Sequence, residues 1–333
     1  MKIIWGLEEE VFIVENNGRT SLDSLYYLYQ LLRKNHKFYY CHSASNFSRG
    51  KDIVLGLMSG IEISTDVQLS VNGLLEDLKA RRTDLIKVVD NGMILPIGHL
   101  LDTDTPTNTC GLHIHLGVEK KYREAVYQRI AHYLPLIALA STNSPGRNGL
   151  YFGKSYRMES SYAVGPLSNN PYFRFQDLII AKRLKTVEIR VLDPFPQLDR
   201  LEKVLKLIED VARGAQVREV NISHYLKLRN LVAKEGFTKE IETLFVQLQR
   251  ELGWKDKELF ITTPSDLTWK AYEEKGLLGA YLLLDEMYRG ELRRTVKDKK
   301  YYWKPLFLRS LMGIAGYYVP RLPYVVYKAL KEN

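Results

Sequence analysis

Cysteine is scarce in this chain, since 333 residues contain only Cys41 and Cys110. No pair of cysteines has the spacing of a zinc site, and two thiols in a chain of this length are typical of a reduced protein, so we expect a cytoplasmic location. Residues 1–20 lack the pattern of a signal peptide. Apolar runs of about 18 residues or more are also missing, which argues against a helix that spans a membrane.

Common nucleotide-binding and nucleophile motifs are missing too. The sequence has no P-loop, no G-x-G-x-x-G after a strand and no G-x-S-x-G elbow. It also has no internal repeat and no long linker rich in proline, glycine or serine. A chain of 333 residues suits one large domain or two ordinary ones, and without a linker we expect a single domain over residues 1–333.

The charge of the chain is positive, with 48 Lys and Arg against 39 Asp and Glu and a formal net charge of +9. Much of the excess lies in two clusters, residues 79–82 and 293–300, and in the segment beyond them. Such clusters can bind nucleic acid or an anionic membrane surface, but they are also common on solvated surfaces. Charge alone therefore leaves a non-enzymatic protein that binds polyanions or membranes as one alternative.

Hydrophobic periodicity predicts a mixture of strands and helices. Strand-like alternation occurs at residues 2–5, 8–15, 37–42, 60–69, 93–97, 111–118 and 185–192, and helical spacing at about 21–35, 72–90, 119–141, 197–219, 238–252 and 272–292. The order is not a strict strand–helix alternation, which favours an α+β fold with an antiparallel sheet. We expect residues 1–196 to carry the sheet and residues 197–300 to pack against it mainly as helices.

The last segment, residues 301–333, is rich in aromatic, basic and apolar side chains. Such a composition could place it at a membrane interface. Pro305, Pro320 and Pro323 would interrupt a long interfacial helix. We therefore expect this tail to dock on the same molecule or on a partner subunit.

Four strand-like segments each divide into an apolar face and a polar face. In the first, Glu8 and Glu10 share a face with Phe12 and Val14, whereas Glu9 points to the opposite face. The other three segments place acidic, imidazole and guanidinium groups opposite Ile, Leu and Val. Together the four polar faces carry Glu8, Glu10, Glu62, Asp66, His113, His115, Glu188 and Arg190.

These polar faces contain no lysine, although the chain has 48 Lys and Arg. For any one strand, a polar side that faces water is the simpler interpretation, because antiparallel sheets are commonly one-sided. Clustered carboxylates with imidazole are suitable ligands for Mg²⁺ or Mn²⁺, and without a cation such carboxylates would repel one another. The set as a whole therefore predicts a metal site.

The same segments, in the same order, resemble the glutamate–cysteine ligase family, specifically its compact carboxylate–amine ligase branch. The resemblance covers about residues 3–215 and is carried by GLEEEVFIV (6–14), GIEISTDVQ (60–68), CGLHIHLGV (110–118), ALASTNSPGRNG (138–149), SYRMES (155–160) and TVEIRVLDPFPQLD (186–199). Each segment alone is unspecific, whereas the ordered set is a strong signal. Beyond about residue 220 the resemblance cannot be followed.

The resemblance implies a fold related to glutamine synthetase, with a curved antiparallel sheet flanked by helices. The polar concave face of this sheet would bind ATP, an amino acid and two or three Mg²⁺ or Mn²⁺ ions. By motif position, the implied metal ligands are Glu8, Glu10, Glu62, His113 and Glu188. Arg190 would be the catalytic residue that steadies the transferred phosphoryl group.

Other residues of these segments are weaker candidates for substrate or nucleotide binding. A planar guanidinium can grip a carboxylate or phosphate with two hydrogen bonds, which suits Arg147, Arg157 and Arg174, although a surface salt bridge is an equal alternative for each. His115, Asn143 and Ser144 complete the candidate set.

The implied reaction is ATP- and Mg²⁺-dependent formation of an amide between the γ-carboxylate of glutamate and an amine through an acyl phosphate. Cysteine is the default amine, as in glutathione biosynthesis. ATP, glutamate and the amine are the expected partners, nucleic acid and membrane are not expected, and a homo-oligomer is left open. The enzymatic alternative is a phosphotransferase of the guanidino-kinase type, which would stop after phosphoryl transfer.

Overall fold

The computed structural model of the chain describes residues 1–20, 23–35, 37–41 and 60–292, together with short pieces between residues 308 and 323. Its centre is a seven-stranded sheet in which every pair of neighbouring strands is antiparallel. Its strands are β1 (Ile4–Val14), β2 (Tyr39–Cys41), β3 (Gly60–Ser64), β4 (Met93–Leu95), β5 (Leu112–Gly117), β8 (Leu178–Ile180) and β9 (Val187–Leu192).

The strand order is β2-β3-β1-β5-β9-β8, and β4 pairs with the end of β1. A separate hairpin consists of β6 (Gly146–Arg147) and β7 (Leu150–Tyr151). In this part of the chain the helices are α1 (Asp23–Lys34), α2 (Val71–Val88), α3 (Lys120–Leu139), α4 (Tyr156–Ser160), α5 (Leu198–Gly214), α6 (Ile222–Lys234), α7 (Lys239–Leu252), α8 (Glu258–Ile261) and α9 (Pro264–Arg289). The prediction of an α+β fold with an antiparallel sheet is therefore confirmed.

Two of the differences between the predicted and the observed strands concern the polar segments. Residues 2–5 and 8–15 belong to one strand, because β1 pairs with β5 over residues 4–9 and with β3 over residues 8–12 without a break. The strand predicted over residues 60–69 ends at Ser64. Asp66 therefore leaves the polar face and instead forms a surface ion pair with Lys37 at 2.8 Å.

The two faces of β1 pack against different parts of the molecule. Trp5, Leu7 and Val11 lie in the main core between the sheet and the helices. Phe12 and Val14, on the opposite face, lie in a second core that also contains side chains of β4 and α9. Because α9 covers the end of β1 on this face, the polar part of the face begins at Glu10, two residues before Phe12.

Glu9 lies on the main-core side of β1 and is completely buried. Arg82, on α2, donates through Nε to Glu9 at 3.0 Å and through Nη2 to the other carboxylate oxygen. The hydroxyl of Tyr288, on α9, donates to Glu9 at 3.0 Å. Of the three consecutive glutamates, Glu8 and Glu10 therefore face the polar side, whereas Glu9 belongs to a buried ion pair that joins α2 and α9 to the sheet.

The docking predicted for residues 301–333 lies largely outside the described residues. In the described pieces, an ideal Cβ on Gly316 would lie 2.6 Å from Cδ2 of Tyr29, so this point of the tail contacts α1. The prediction of a docked tail stays a prediction. Within the part of the chain that the structure describes, none of the helices is both long and apolar enough to cross a membrane.

A buried histidine gives the fold an expected dependence on pH. His99 is fully buried; its Nδ1 lies 3.4 Å from the carbonyl oxygen of Gly146, and its Nε2 accepts from the amide of Thr105 at 3.2 Å. Burial lowers the pKa of His99 to about 4, although the hydrogen bond to Gly146 acts in the opposite direction. The folded state therefore keeps His99 neutral at pH values where the unfolded chain already binds a proton.

Stability is therefore expected to fall as the pH drops through the ordinary histidine pKa of 6.5 towards the lowered pKa of about 4. The contribution of His99 to the free energy of unfolding should decrease by about 2 kcal/mol between pH 7 and pH 5. Urea unfolding of the parent and of His99→Gln at both pH values measures this difference. Equal pH dependence of the two proteins would contradict the assignment.

Candidate metal and active site

Neighbouring strands bring the predicted polar residues together. The register of β1 with β5 places Glu8 opposite His113, and its register with β3 places Glu10 opposite Glu62. On the other side of β5, His115 lies opposite Glu188 of β9. Residues that lie as far as 180 positions apart in sequence thus meet on one face, because directly opposed residues of antiparallel strands point to the same side.

Three of these side chains could hold a metal ion. Glu8, His113 and Glu188 each offer one ligand atom, and these atoms all lie within 4.8 Å of one another. His113 and Glu188 are buried, whereas the side chain of Glu8 is 32% exposed, so this group opens to solvent on the Glu8 side. Glu10 and Glu62 form the next pair along β1.

The electrostatics of the site indicate an excess of carboxylate. Burial raises the pKa of Glu62 well above its usual range, and the negative charges of Glu8 and Glu10 raise it further. The positive charges of Arg190 and Arg174 act in the opposite direction without cancelling the effect. A bound cation would relieve this repulsion, as expected for a metal-binding group of carboxylates.

Glu8 is held between two imidazoles. Burial alone would raise its pKa, but the nearby imidazoles of His113 at 3.4 Å and His115 at 3.7 Å outweigh burial and lower the pKa of Glu8 below its usual range. Burial acts to lower the pKa of His115, yet Glu8 and Glu188 raise it overall. The Nε2 atoms of both histidines are buried and lack a hydrogen-bond partner among the described residues.

Arg190 lies beside Glu188 on the polar face, two residues further along β9. Its Nη1 donates to the carboxylate of Glu188, and its side chain is 11% exposed. Its buried Nε has no hydrogen-bond partner in the part of the chain that the structure describes. A guanidinium held in this way combines a fixed position with donors that remain available to a ligand.

The three other candidate arginines occupy different environments. Arg147 has a side chain that is 52% exposed and forms an ion pair with Asp104 at 2.8 Å. Arg174 is exposed, and its positive charge acts to lower the pKa of Glu62. Arg157 is only 1% exposed, and its donors face backbone carbonyls, so its predicted contact with a substrate has no support from its position.

Asn143 and Ser144 are completely buried below the site. The side chain of Asn143 donates to the carbonyl of Pro96 at 2.8 Å and accepts from Thr268 at 2.7 Å. The hydroxyl of Ser144 lies 2.8 Å from a carboxylate oxygen of Asp193. Both residues therefore hold the loops that support the site, and their predicted contact with a nucleotide stays a prediction.

Two residues of the site were not predicted. An ideal Cβ on Gly111 would lie 2.3 Å from Nη2 of Arg157 and 2.8 Å from Nε2 of His113, so a larger residue there would displace these side chains. The amide of Gly111 also donates to Glu10 at 2.5 Å. Asp193, at the end of β9, is buried beside Arg157. The glycine before His-x-His was a visible signal, whereas the role of Asp193 depends on contacts that the sequence does not reveal.

Comparison with known proteins defines the class of fold. No protein-family model matches this chain, and no curated protein matches it in sequence. Solved structures that share its fold include two ligases. A bifunctional glutathione synthetase from Pasteurella multocida is 13% identical with a TM-score of 0.59, over 95% of this chain and 56% of that chain. A glutamate–cysteine ligase from Francisella tularensis, solved in complex with AMP, is 10% identical with a TM-score of 0.61, over 96% of this chain and 94% of that chain.

The chain therefore has the fold seen in these two ligase structures, which confirms the predicted resemblance at the level of the fold. It spans a little over half the length of the Pasteurella multocida protein, at 56%. At identities of 10% and 13%, the comparison does not extend to substrates.

Proposed function

We propose that this chain is an ATP-dependent carboxylate–amine ligase that joins the γ-carboxylate of glutamate to an amine, with cysteine as the default amine. The observation that carries the proposal is the convergence of Glu8, His113 and Glu188 on the polar face of the sheet. This convergence occurs in a chain with the fold of a glutamate–cysteine ligase structure.

The residues of the site fit a hard divalent cation. Carboxylate oxygens with one imidazole suit Mg²⁺ or Mn²⁺, and the buried Nε2 of His113 has no hydrogen-bond partner among the described residues. Glu8, His113 and Glu188 would hold one ion, and Glu10 and Glu62 would contribute to a second or third. When bound, the ions would neutralise phosphate charge and fix the nucleotide beside the acid substrate.

The protein's own groups then position the reactants. A carboxylate oxygen of the acid attacks the γ-phosphorus of ATP, and ADP leaves with the pair of electrons of the broken phosphorus–oxygen bond. The amine nitrogen then attacks the carbonyl carbon, phosphate leaves, and the nitrogen loses a proton. Arg190 would take up charge on the transferred phosphoryl group, because its guanidinium is held by Glu188 and points to the same face.

Arg174 is the best-placed candidate for a substrate carboxylate. Its charge acts on Glu62, so it lies near the polar face. Its side chain has no ion-pair partner among the residues described. Such a cation next to the proposed metal site could recognise the α-carboxylate of an amino acid.

The basic cluster at residues 79–82 gives little support to the polyanion-binding alternative. Arg81 pairs with Asp77 at 2.8 Å, and Arg82 is buried in its ion pair with Glu9. Two of the three basic residues in this cluster, Arg81 and Arg82, are thus already neutralised by carboxylates. The second cluster, residues 293–300, lies outside the described residues.

A substrate screen tests the proposal. The purified chain is incubated with ATP, Mg²⁺, an acid (glutamate or aspartate) and a panel of amines that includes cysteine, other amino acids, alkylamines and guanidino compounds. We expect ADP release that requires both acid and amine, together with a product whose mass is the sum of the two minus water. A phosphorylated guanidino compound without an amide would instead support the kinase alternative, and salt-sensitive binding of polyanions without ATP turnover would support the non-enzymatic one.

A further inference from the structure

Arg157, on the short helix α4, lies below the proposed active site. It is 1% exposed, and its guanidinium donates to the carbonyl oxygens of three consecutive residues of β9, namely Arg190 at 3.0 Å, Val191 at 3.0 Å and Leu192 at 3.2 Å. One side chain therefore fixes the backbone of the strand end at the residue proposed to contact the phosphoryl group.

The backbone of Arg190 is also held from the other direction. Its amide donates to the carbonyl of Asp177 at 2.8 Å. The carboxylate of Asp177 is in turn bonded by Arg229, at 2.5 Å from Nε, and by Tyr225. The amide and the carbonyl of Arg190 thus both have hydrogen-bond partners within buried networks. The backbone from which the Arg190 side chain extends is therefore held in place.

The same guanidinium lies next to Gly111, the residue before β5. Nη2 of Arg157 and Nε2 of His113 both lie within 2.8 Å of the point where a Cβ on Gly111 would be. The guanidinium and the imidazole therefore share the space that any larger residue at position 111 would fill. Arg157 thus bonds the end of β9 and lies next to Gly111, the residue before β5, so it is close to both strands that carry His113 and Arg190.

Asp193 supplies the opposite charge. Its Oδ1 lies 3.9 Å from Nη1 of Arg157, and Oδ2 accepts from the amide of Asn143 and the hydroxyl of Ser144, both at 2.8 Å. Burial lowers the pKa of Arg157, and the charge of Asp193 opposes this effect. The network below the site therefore keeps a charged guanidinium in place without using a substrate.

We propose that Arg157, with Asp193 as its counter-charge, is a positioning residue that sets the distance between His113 on β5 and Arg190 on β9. This inference rests on the proposed function, because it assigns His113 and Arg190 to the metal and phosphoryl sites. In this role Arg157 does not contact a substrate directly. Its hydrogen bonds go to backbone carbonyls of β9, so they hold this strand rather than a ligand.

Arg157→Lys tests the proposal. The ammonium group of lysine cannot reproduce the planar guanidinium, which donates hydrogen bonds to three carbonyls at once. We expect kcat to fall by about tenfold to a hundredfold, as for loss of a residue that orients metal ligands, while KM for ATP changes much less. Mn²⁺ affinity, measured by the electron paramagnetic resonance of free Mn²⁺ without substrates, should weaken by about tenfold or more.

Arg289→Lys is the matched control. Arg289 is also a buried arginine that bonds a carboxylate, Asp285 at 2.8 Å, and two backbone carbonyls, Val89 at 3.2 Å and Gly92 at 3.3 Å. It joins α9 to the segment before β4. We expect this control to lose stability but to keep the parent's Mn²⁺ affinity and kcat.

Gly111→Ala is the second variant, and it keeps every donor while displacing the guanidinium and the imidazole. It should reproduce the loss of Mn²⁺ affinity, so the proposal remains testable if Arg157→Lys does not fold. Parent-like Mn²⁺ affinity in either folded variant, or an equal loss in Arg289→Lys, would overturn the positioning role. If the parent shows Mn²⁺ binding but no ligase activity, the proposed function fails while the Mn²⁺ comparison still decides the positioning role.

Discussion

Glu8→Gln is expected to reduce ATP turnover by about three orders of magnitude, since loss of a metal ligand removes several kcal/mol of charge stabilisation and each 1.36 kcal/mol changes the rate tenfold. Glu8 lies between His113 and His115 and opposite His113 in the register of β1 and β5. A neutral amide is a poorer ligand for a hard cation than a carboxylate is. Steady-state ADP release at saturating Mg²⁺ measures the effect.

Glu119→Gln is the control for this change. Glu119 is an exposed carboxylate whose partner is Lys121 at 3.1 Å, away from the polar face. It should turn over ATP at the rate of the parent. Turnover by Glu8→Gln within about tenfold of the parent, with the same circular dichroism, would show that Glu8 is not a metal ligand.

Arg82→Met is expected to lower the free energy of unfolding by about 3–5 kcal/mol, because it leaves the buried charge of Glu9 without its partner. Glu9 and Arg82 are both buried, and among the described residues only Tyr288 would continue to donate to the carboxylate. Urea denaturation at pH 7 measures this loss. The site itself is unchanged, since Glu9 points away from Glu8 and Glu10.

The double variant Glu9→Met with Arg82→Met, compared with the two single variants in a double-mutant cycle, measures the coupling between the two residues. Replacing both members of a buried ion pair by apolar side chains is often close to neutral, so the double variant should be more stable than Arg82→Met alone. Additive losses for the two changes would contradict the interpretation of Glu9 and Arg82 as an energetically coupled pair.

Strand alternation predicted the side of the sheet on which each glutamate lies. A period of two residues separates Glu8 and Glu10 from Glu9 whichever strands pair with β1, and the same rule places both histidines of β5 together. The structure adds the register, which brings Glu8 opposite His113 and His115 opposite Glu188. Register depends on pairings between distant segments, so the pattern within each segment did not determine it.

The surroundings of several residues in loops and at strand ends could not be predicted from the sequence. Asp66 followed the alternation of its segment, but β3 ends at Ser64, and Asp66 faces solvent beside Lys37. Asn143 and Arg157 have polar side chains that are typical of ligand contacts, yet both are buried. Their burial results from contacts with β9 and α9, which no local sequence pattern contains.

The partner of Glu9 was equally inaccessible to sequence patterns. Arg82 lies 73 residues away within a basic cluster, where the simplest interpretation was a solvated surface. Only the packing of α2 against the sheet turns this arginine inward. A cluster of basic residues in a sequence therefore does not by itself show that each of them lies on the surface.

Transfer of heavy oxygen from the acid to phosphate would show whether this polar face activates a carboxylate. The acid identified in the substrate screen is labelled with ¹⁸O in its reacting carboxylate, incubated with ATP, Mg²⁺ and the amine, and the released phosphate is examined by mass spectrometry. The proposed acyl phosphate requires one labelled oxygen in phosphate for each amide formed, and Glu8→Gln should abolish this transfer together with the amide. Amide or ADP formation with unlabelled phosphate would contradict carboxylate activation by phosphoryl transfer.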